Sequence, residues 1–360
     1  MEKRLNRGGS RWWVLLVLGG GLILSALFSV CLGNYGISIG EVIEVVFGRI
    51  FGAERIYSEA AGGYIWQGSI LGAEISYADV LHSVVWNIRL PRIALAILVG
   101  CSLSAAGATY QMVFQNPMAS PDILGASSGA AFGAALAIYI GLASGGITTF
   151  AFAFGILCVA VVFIIGRLAP GKQITNLILA GIMISSLFSS GTSFIKLVAD
   201  TTNQLPQITY WLMGSLSATK TGDLLFALIP MAAGLLPLLL LSWRINLLTL
   251  GDEQAKTLGV NTSLLRFVVI ICATLLTAAS VSVSGMIGWV GLVIPHLCRK
   301  LVGNDFRLLL PASMLLGGTF LLLTDDLARC LLAIEIPIGI LTAVIGAPFF
   351  LFLIMRKERA

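Results

Sequence analysis

The sequence is poor in charge and in histidine. Asp, Glu, Lys and Arg make up 11% of its 360 residues, whereas charged residues are about 25% of an average soluble domain. Together with a hydrophobic content of 58%, this shortage excludes an ordinary soluble fold and indicates a polytopic membrane protein. Only two histidines are present, His82 and His296, which argues against a histidine-rich metal or haem site in this chain.

Cysteine motifs and a nucleotide motif are also missing. The six cysteines show no CxxC pair and no metal-ligand spacing, so they are interpreted as packing residues, and no metal or catalytic site is predicted. The stretch Gly166 to Gln173, GRLAPGKQ, comes within one residue of a phosphate-binding P-loop, but Gln173 stands where Ser or Thr must hold magnesium. The chain is therefore expected to hold no cofactor of its own, and active transport would need an ATPase partner, which binds ATP and Mg, or an ion gradient.

Long apolar runs dominate what is present. They approach the length of about 20 residues that crosses a bilayer as a helix, whereas strands of a membrane barrel would alternate over about ten. The sequence thus predicts an all-α polytopic membrane protein, a single transmembrane domain over residues 1–360 with about ten transmembrane helices. The predicted spans are 12–32, 93–114, 123–142, 147–166, 174–198, 224–243, 267–284, 286–298, 308–324 and 336–355.

Basic residues predict the orientation. Lys3, Arg4, Arg7 and Arg11 precede the first span, so the positive-inside rule holds the N-terminus in the cytoplasm, and an even number of spans returns the C-terminus there. A multi-pass protein of the cell (inner) membrane is expected. The net charge of +5 is spread over the ends of apolar runs instead of forming one patch, so the expected surroundings are lipid and not nucleic acid.

Two polar segments interrupt the apolar pattern. Residues 33–88 are predicted to lie outside the membrane as amphipathic pieces on its outer surface. Residues 244–266, RINLLTLGDEQAKTLGVNTSLLR, carry Asp252 and Glu253 and the steps Leu250-Gly251 and Leu258-Gly259, which predict short helices broken by glycine. Composition alone leaves two interpretations of this second segment: an ordinary solvated loop, or an element recognised by another protein.

Three arginines depart from the positive-inside rule. Arg89 and Arg92 in RLPR, and Arg329, fall at the predicted outer face. Because an arginine fork fits carboxylates, an acidic partner protein is one hypothesis. The alternatives are lipid phosphate or an internal pair, which for Arg329 would use Asp325 and Asp326, four and three residues before it.

Small residues predict close helix packing. Gly125, Gly129 and Gly133 in GASSGAAFG form a ridge that lets another helix approach. Serines at 185, 186, 189, 190 and 193 give one later span a polar face, which would hydrogen-bond a neighbouring helix or line a wet path.

A family resemblance is carried by two groups of motifs. The first is Arg89-Leu-Pro-Arg92, Gln111, Asn116-Pro-Met-Ala119 and Leu124-Gly125. The second begins with Leu258-Gly-Val260 and Gly285-Met-Ile-Gly-Trp-Val-Gly-Leu-Val-Ile-Pro-His296, continues through Arg299, Asp305 and Arg307, and ends with Glu335-Ile-Pro-Ile-Gly339 and Gly346-Ala-Pro348. From Arg89 to the C-terminus the chain resembles the FecCD-like permeases of ABC importers for iron-siderophores, haem and cobalamin.

The resemblance implies an ABC importer type II permease fold of ten helices, a second permease subunit (a homodimer), two cytoplasmic ATPases and a periplasmic or lipid-anchored binding protein. It implies that Arg89, Arg92 and Arg329 receive carboxylates of the binding protein. It also implies a cytoplasmic gate at Ile174, Thr175 and Asn176. The implied ATPase-coupling residues are Leu250, Gly251, Asp252, Glu253, Ala255, Leu258 and Gly259.

Departures and alternatives accompany this resemblance. Met118 and Trp289 stand where leucine and phenylalanine are usual, and the outer segment 48–80 is longer than shorter members need. The cargo implied is a metal chelate, a ferric siderophore first and then cobalamin or haem. An ion-coupled secondary transporter is the alternative function, with Lys196 and the Asp325-Asp326 pair as candidate coupling groups; a membrane-embedded enzyme would need a nucleophile or metal cluster that the sequence does not show.

Overall fold

The computed structural model describes residues 12–33, 35–58, 61, 63–70, 73–171 and 173–355. Fifteen α-helices are found in this part of the chain: α1 Trp12–Cys31, α2 Ile39–Ile50, α3 Asp79–His82, α4 Leu90–Val113, α5 Ala126–Tyr139, α6 Ser144–Leu168, α7 Gln173–Val198, α8 Gln204–Met213, α9 Thr221–Leu240, α10 Ser242–Leu247, α11 Asp252–Thr257, α12 Thr262–Ser284, α13 Val290–Val302, α14 Phe306–Cys330 and α15 Ile338–Met355. Three strands, β1 Glu54–Ser58, β2 Gly63–Ile70 and β3 Ala73–Ala78, lie between α2 and α3.

Seven stretches of the described chain are long and apolar enough to cross a membrane. They are α1, the continuous run Asp79–Val113, α6, most of α7, α9, α12 and α14. The shorter helices α5, α13 and α15 occupy the other three predicted spans. The all-α polytopic fold is therefore confirmed, with corrections to four boundaries. The run that ends in α4 begins at Asp79 instead of residue 93, and α12 begins at Thr262 instead of residue 267. Helix α13 begins at Val290 instead of residue 286, and α14 continues to Cys330 instead of ending at residue 324.

The run that ends in α4 is a long helix with a defect. The π-helical turn Ser83–Arg89 joins α3 to α4, and the amide of Leu90 bonds the carbonyl of Val85, five residues back. Pro91 follows directly and has no N–H to continue the regular ladder, which explains why the wide turn sits at this point. The 35-residue run is about 50 Å long, so it extends well beyond a hydrocarbon core of about 30 Å.

The outer segment contains a sheet that the sequence analysis did not predict. The strands pair antiparallel in the order β1-β2-β3, with Ile56 opposite Ile65 and Trp66 opposite Tyr77. Asp79 fastens the sheet to α3, because its carboxylate accepts from Trp66 Nε1 at 2.9 Å and from Arg55 Nη2 at 2.7 Å. Helix α2 is one of the amphipathic pieces that the sequence predicts, and the strands β1, β2 and β3 form where aromatic and β-branched residues favour strands. Their placement on the outer surface of the membrane stays a prediction.

Glycines set the spacing of the central helices. A Cβ at Gly107 of α4 would lie 1.7 Å from the carbonyl oxygen of Gly291 in α13, and one at Gly100 would lie 2.3 Å from that of Gly317 in α14. The predicted ridge packs in the same way: Cβ atoms at Gly129 and Gly133 would lie 2.5 and 2.4 Å from backbone oxygens of α6. Because lipid supplies no hydrophobic drive between helices, such backbone approach is what packs the bundle.

Candidate functional sites

The three arginines of interest meet at one end of the bundle, which the predicted orientation makes the outer end. Arg89 belongs to the π-helical turn, Arg92 to the first turn of α4 and Arg329 to the last turn of α14. All three are buried, with 3%, 6% and 6% of their surface exposed. Each of the three guanidinium groups donates hydrogen bonds to acceptors of this chain. We call the three arginines, together with Ser29, Asp325, Asp326 and Glu335, the outer charge cluster.

Arg92 is held by two carboxylates. Its Nη2 and Nε donate to Asp325 at 2.9 Å, and its Nη1 donates to Glu335 Oε1 at 3.0 Å. Asp325 is fully buried, whereas the Glu335 side chain, in the connection between α14 and α15, is 33% exposed. Arg92 therefore has one buried partner and one that borders the surface.

Arg329 fastens α1 to α14. Its Nη2 pairs with Asp326 and donates to the carbonyl and hydroxyl oxygens of Ser29 at 2.9 and 2.7 Å. The Ser29 hydroxyl donates to Asp326 at 2.6 Å. The internal pair expected for Arg329 thus forms with Asp326, while Asp325 turns to Arg92 because residues 325 and 326 face different neighbours of α14.

The opposite end of the bundle carries residues 244–266 in a different form. Helix α10 and a 3-10 turn, Leu248–Leu250, precede Gly251 with φ of 97°, and α11 precedes Gly259 with φ of 79°. These left-handed conformations favour glycine, which explains both Leu-Gly steps. The glycine pattern therefore predicts the breaks between these short helices correctly.

This inner segment has one buried face and one exposed face. Ile245, Leu248 and Ala255 are fully buried, whereas Glu253, Lys256 and Leu258 are exposed. The side chains of Leu250 and Asp252 lie outside the described part of the structure. A cavity of about 400 Å³ opens beside the segment between α10 and α12, lined in part by Trp243, Leu258 and Leu264. The groove combines these apolar side chains with the polar side chains of Arg244 and Asn261.

Three polar side chains tie the inner segment to the bundle. Asn246 donates to Asp305 Oδ1 at 2.7 Å and accepts from the amide of Phe306 at 2.7 Å, which joins α10 to the start of α14. Gln115, between α4 and α5, donates to the carbonyl of Leu248 at 2.8 Å. Hydrogen bonds from Arg307, then from Asn246, hold the pKa of Asp305 below its ordinary value. Sequence reasoning assigned no role to Asn246 or Gln115, since a lone amide carries no pattern.

The predicted gate residues begin α7. Ile174 is half-buried and Thr175 is exposed, while Asn176 donates from Nδ2 to the carbonyls of Ala169 and Pro170 at 2.9 and 3.2 Å. Asn176 thereby closes the turn between α6 and α7. The segment before the P-loop look-alike is helix α6 and not a strand, and Lys172 lies outside the described residues.

A many-helix bundle with a polar segment at one end and a charge cluster at the other defines a class: a polytopic membrane transport subunit. Comparison with known proteins is specific. Residues 21–356 match the model of the FecCD transport family, and the chain belongs to that family. It is a permease subunit of an ABC importer and not an enzyme, and the ATPase is a separate subunit.

Individual relatives cover nearly the whole chain. The molybdate import system permease protein MolB of Haemophilus influenzae is 39% identical over 94% of this chain and 94% of its own length. A probable iron chelatin transport system permease protein of Helicobacter pylori is 40% identical over 91% of this chain and 99% of its own. A solved inward-facing structure of a putative metal-chelate type ABC transporter superposes with a TM-score of 0.81 at 39% identity, covering 95% of this chain and 98% of the other.

Proposed function

We propose that this chain passes a metal chelate, delivered by a binding protein, across the cell membrane when a separate ATPase drives the inner segment. The observation that supports this most is the exposed face of α11 beside the groove at Trp243 and Leu258, on a segment anchored to α14 by Asn246. A push on α11 would reach the bundle through these anchors. In this proposal Leu250, Gly251, Asp252, Glu253, Ala255, Leu258 and Gly259 form the ATPase-coupling element.

The cargo proposed is a ferric siderophore, with cobalamin or haem next. The iron chelatin relative, 40% identical, supports a chelate, and the molybdate relative, 39% identical, makes an oxyanion the competing cargo. The test is uptake into proteoliposomes that hold this chain together with its ATPase and its binding protein. Iron carried only as its siderophore complex would support the proposal; molybdate carried in its place would contradict it.

The outer charge cluster is proposed as the docking site of the binding protein through Arg89, Arg92 and Arg329. Support comes from its position at the outer ends of α1, α4 and α14, and from three buried atoms, Arg329 Nε, Asp326 Oδ2 and Glu335 Oε2, without hydrogen-bond partners among the described residues. An incoming carboxylate would replace Glu335 on Arg92, since Asp325 is out of reach of solvent. Glu335→Gln should then strengthen docking, measured by binding-protein titration; weaker docking would contradict this route.

A homodimer is proposed because α7 presents a long uncovered face with hydroxyls in it. The exposed residues of the apolar helix α7 include four serines, Ser186, Ser189, Ser190 and Ser193. Apolar residues such as Leu187 and Phe194 are also exposed on this helix. Two such faces would line a wet path between copies, gated at the inner end by Ile174, Thr175 and Asn176. A bifunctional thiol reagent should cross-link two copies of the chain that carry Ser190→Cys, but not two copies that carry Leu24→Cys on α1. Cross-linking through position 24 and not through position 190 would contradict the proposed homodimer.

The ion-coupled alternative finds less support. Two of its three candidate groups, Asp325 and Asp326, are engaged in ion pairs with arginines, so neither is free to carry a proton through the bundle. Uptake that persists when the ATPase is left out of the proteoliposomes would favour this alternative and overturn the ATP-driven mechanism.

A further inference from the structure

Helix α2 carries an apolar stripe that this chain does not cover. Ile39, Ile43, Phe47, Ile50 and Phe51 recur at helical spacing and share one face. Their exposed fractions are 69%, 51%, 45%, 63% and 55%, and the rings of Phe47 and Phe51 stack with their centroids 6.2 Å apart. Five large apolar side chains in one row form a patch of the kind that marks a contact surface.

The opposite face of α2 is fixed against the sheet and the π-helical turn. Val45 is fully buried, and a Cβ at Gly48 would lie 2.6 Å from Ile75 Cδ1 and 2.9 Å from Tyr77 Cε1 of β3. A capping box between Ser38 and Glu41 begins the helix. Because this face is packed, α2 cannot rotate its stripe inward.

Arg89 sets the level at which α2 begins. Its Nη1 donates to the carbonyl of Val30, in the last turn of α1, at 2.6 Å, and its Nη2 donates to the carbonyl of Tyr35 at 2.5 Å. Two acceptors on one guanidinium lie within about 8 Å of each other. The chain at Tyr35 therefore lies close to the outer end of α1, and Ile39 follows four residues later.

The middle of α2 is tethered to the same end of the bundle. Trp86 Nε1 donates to the carbonyl of Val45 at 3.4 Å, and Trp86 is three residues from Arg89, roughly 5 Å along the helix. Both tethers therefore keep α2 near the plane where α1 ends. The exposed side chains of α1 near that plane, Leu24, Leu27 and Phe28, are apolar and at least 61% exposed, so the stripe continues a membrane-facing surface.

We propose that α2 lies in the outer lipid interface, with its stripe among the acyl chains and headgroup boundary. The stripe offers no hydrogen-bonding side chain, whereas protein interfaces carry about one hydrogen bond per 100–200 Å². An amphipathic helix at this depth buries its apolar face in lipid. In this position α2 keeps the sheet β1-β2-β3 and the outer end of α4 at a fixed height above the membrane. The proposal does not depend on what the bundle transports.

The test is fluorescence quenching in liposomes of the full chain with its native cysteines replaced. A bimane label is placed at Phe47→Cys or Ile43→Cys, at Leu24→Cys of α1 as the lipid reference, and at Glu54→Cys of β1 as the aqueous reference. We expect lipids carrying a doxyl group near the headgroup to quench positions 43 and 47 as strongly as position 24, and aqueous iodide to quench only position 54. These substitutions remove only exposed side chains, so folding should be kept.

Two results would overturn the proposal. Strong iodide quenching at positions 43 and 47 would show that the stripe faces water. Protection from both quenchers would show that a protein, such as a second copy of this chain, covers it.

Discussion

Charged side chains are buried and paired at one end of the molecule and exposed at the other. At the outer end, Arg89, Arg92 and Arg329 are buried and bonded to partners of the same chain. At the inner end, Glu253 and Lys256 are exposed on a six-residue helix between two left-handed glycines. A buried, paired charge is costly to disturb, and an exposed one is not. The buried pairs of the outer cluster therefore hold helices together, whereas the charges of the inner segment stay open to solvent.

The largest effect is expected from breaking the outer cluster at Arg92. Arg92→Ala would leave Asp325 buried without its cation, which costs about 3–5 kcal/mol in comparable pairs. The matched control is Arg55→Ala, which removes the pair with Asp79 at 2.7 Å, whose side chains are 48% and 30% exposed; surface pairs contribute about 0–1 kcal/mol. Unfolding in an SDS titration should separate the two variants clearly, and equal losses would contradict the comparison.

A smaller loss is expected at Ser29. Helix α1 is little buried and depends on its contact with α14. Ser29→Ala removes the hydroxyl that bridges Asp326 and Arg329, and hydrogen bonds to charged groups contribute about 1.5–3 kcal/mol. Proteolysis at the α1–α2 connection should become faster while Ser25→Ala, whose hydroxyl bonds only its own helix, changes nothing. If both variants are cut at the wild-type rate, the bridge does not hold α1.

Asn246→Ala should loosen the inner segment by about 1–2 kcal/mol, because it leaves the amide of Phe306 and the carboxylate of Asp305 without their amide partner. Hydrogen exchange should quicken in α10 and α11 and stay unchanged in α4.

Lowering the pH should also make hydrogen exchange in α10 faster. The folded pKa of Asp305 is lowered by Arg307 and Asn246, so its contribution to stability is full at neutral pH and is lost as the pH falls below about 4. Exchange in α10 that does not quicken with the variant would contradict the anchor.

The smallest effect on stability is expected at Glu253. Its side chain is exposed, and surface substitutions of this kind change stability by about 0.5 kcal/mol or less. Glu253→Lys should therefore unfold at the same SDS concentration as the wild type. A large loss would show that the inner segment is a structural element like the outer cluster.

Most of the fold could be predicted from the sequence. A helix that spans the membrane needs a continuous apolar run, and close packing of helices needs regularly spaced glycines. The sequence also predicted the breaks at Gly251 and Gly259, since left-handed backbone selects glycine. It did not predict the sheet at residues 54–78, where short strands compete with an amphipathic helix. Nor did it predict that Asp325 would pair with Arg92, more than 200 residues away, because such pairing depends on which faces of α4 and α14 meet.

The central claim is that the exposed inner segment transmits the work of the ATPase. The most direct measurement is cargo transported per ATP hydrolysed in proteoliposomes, comparing the wild type with a variant carrying Asp252→Lys and Glu253→Lys. The account predicts that the variant folds and lets the ATPase hydrolyse ATP, but transports about tenfold less, the effect of about 1.4 kcal/mol of lost coupling. An unchanged ratio of transport to hydrolysis would contradict it.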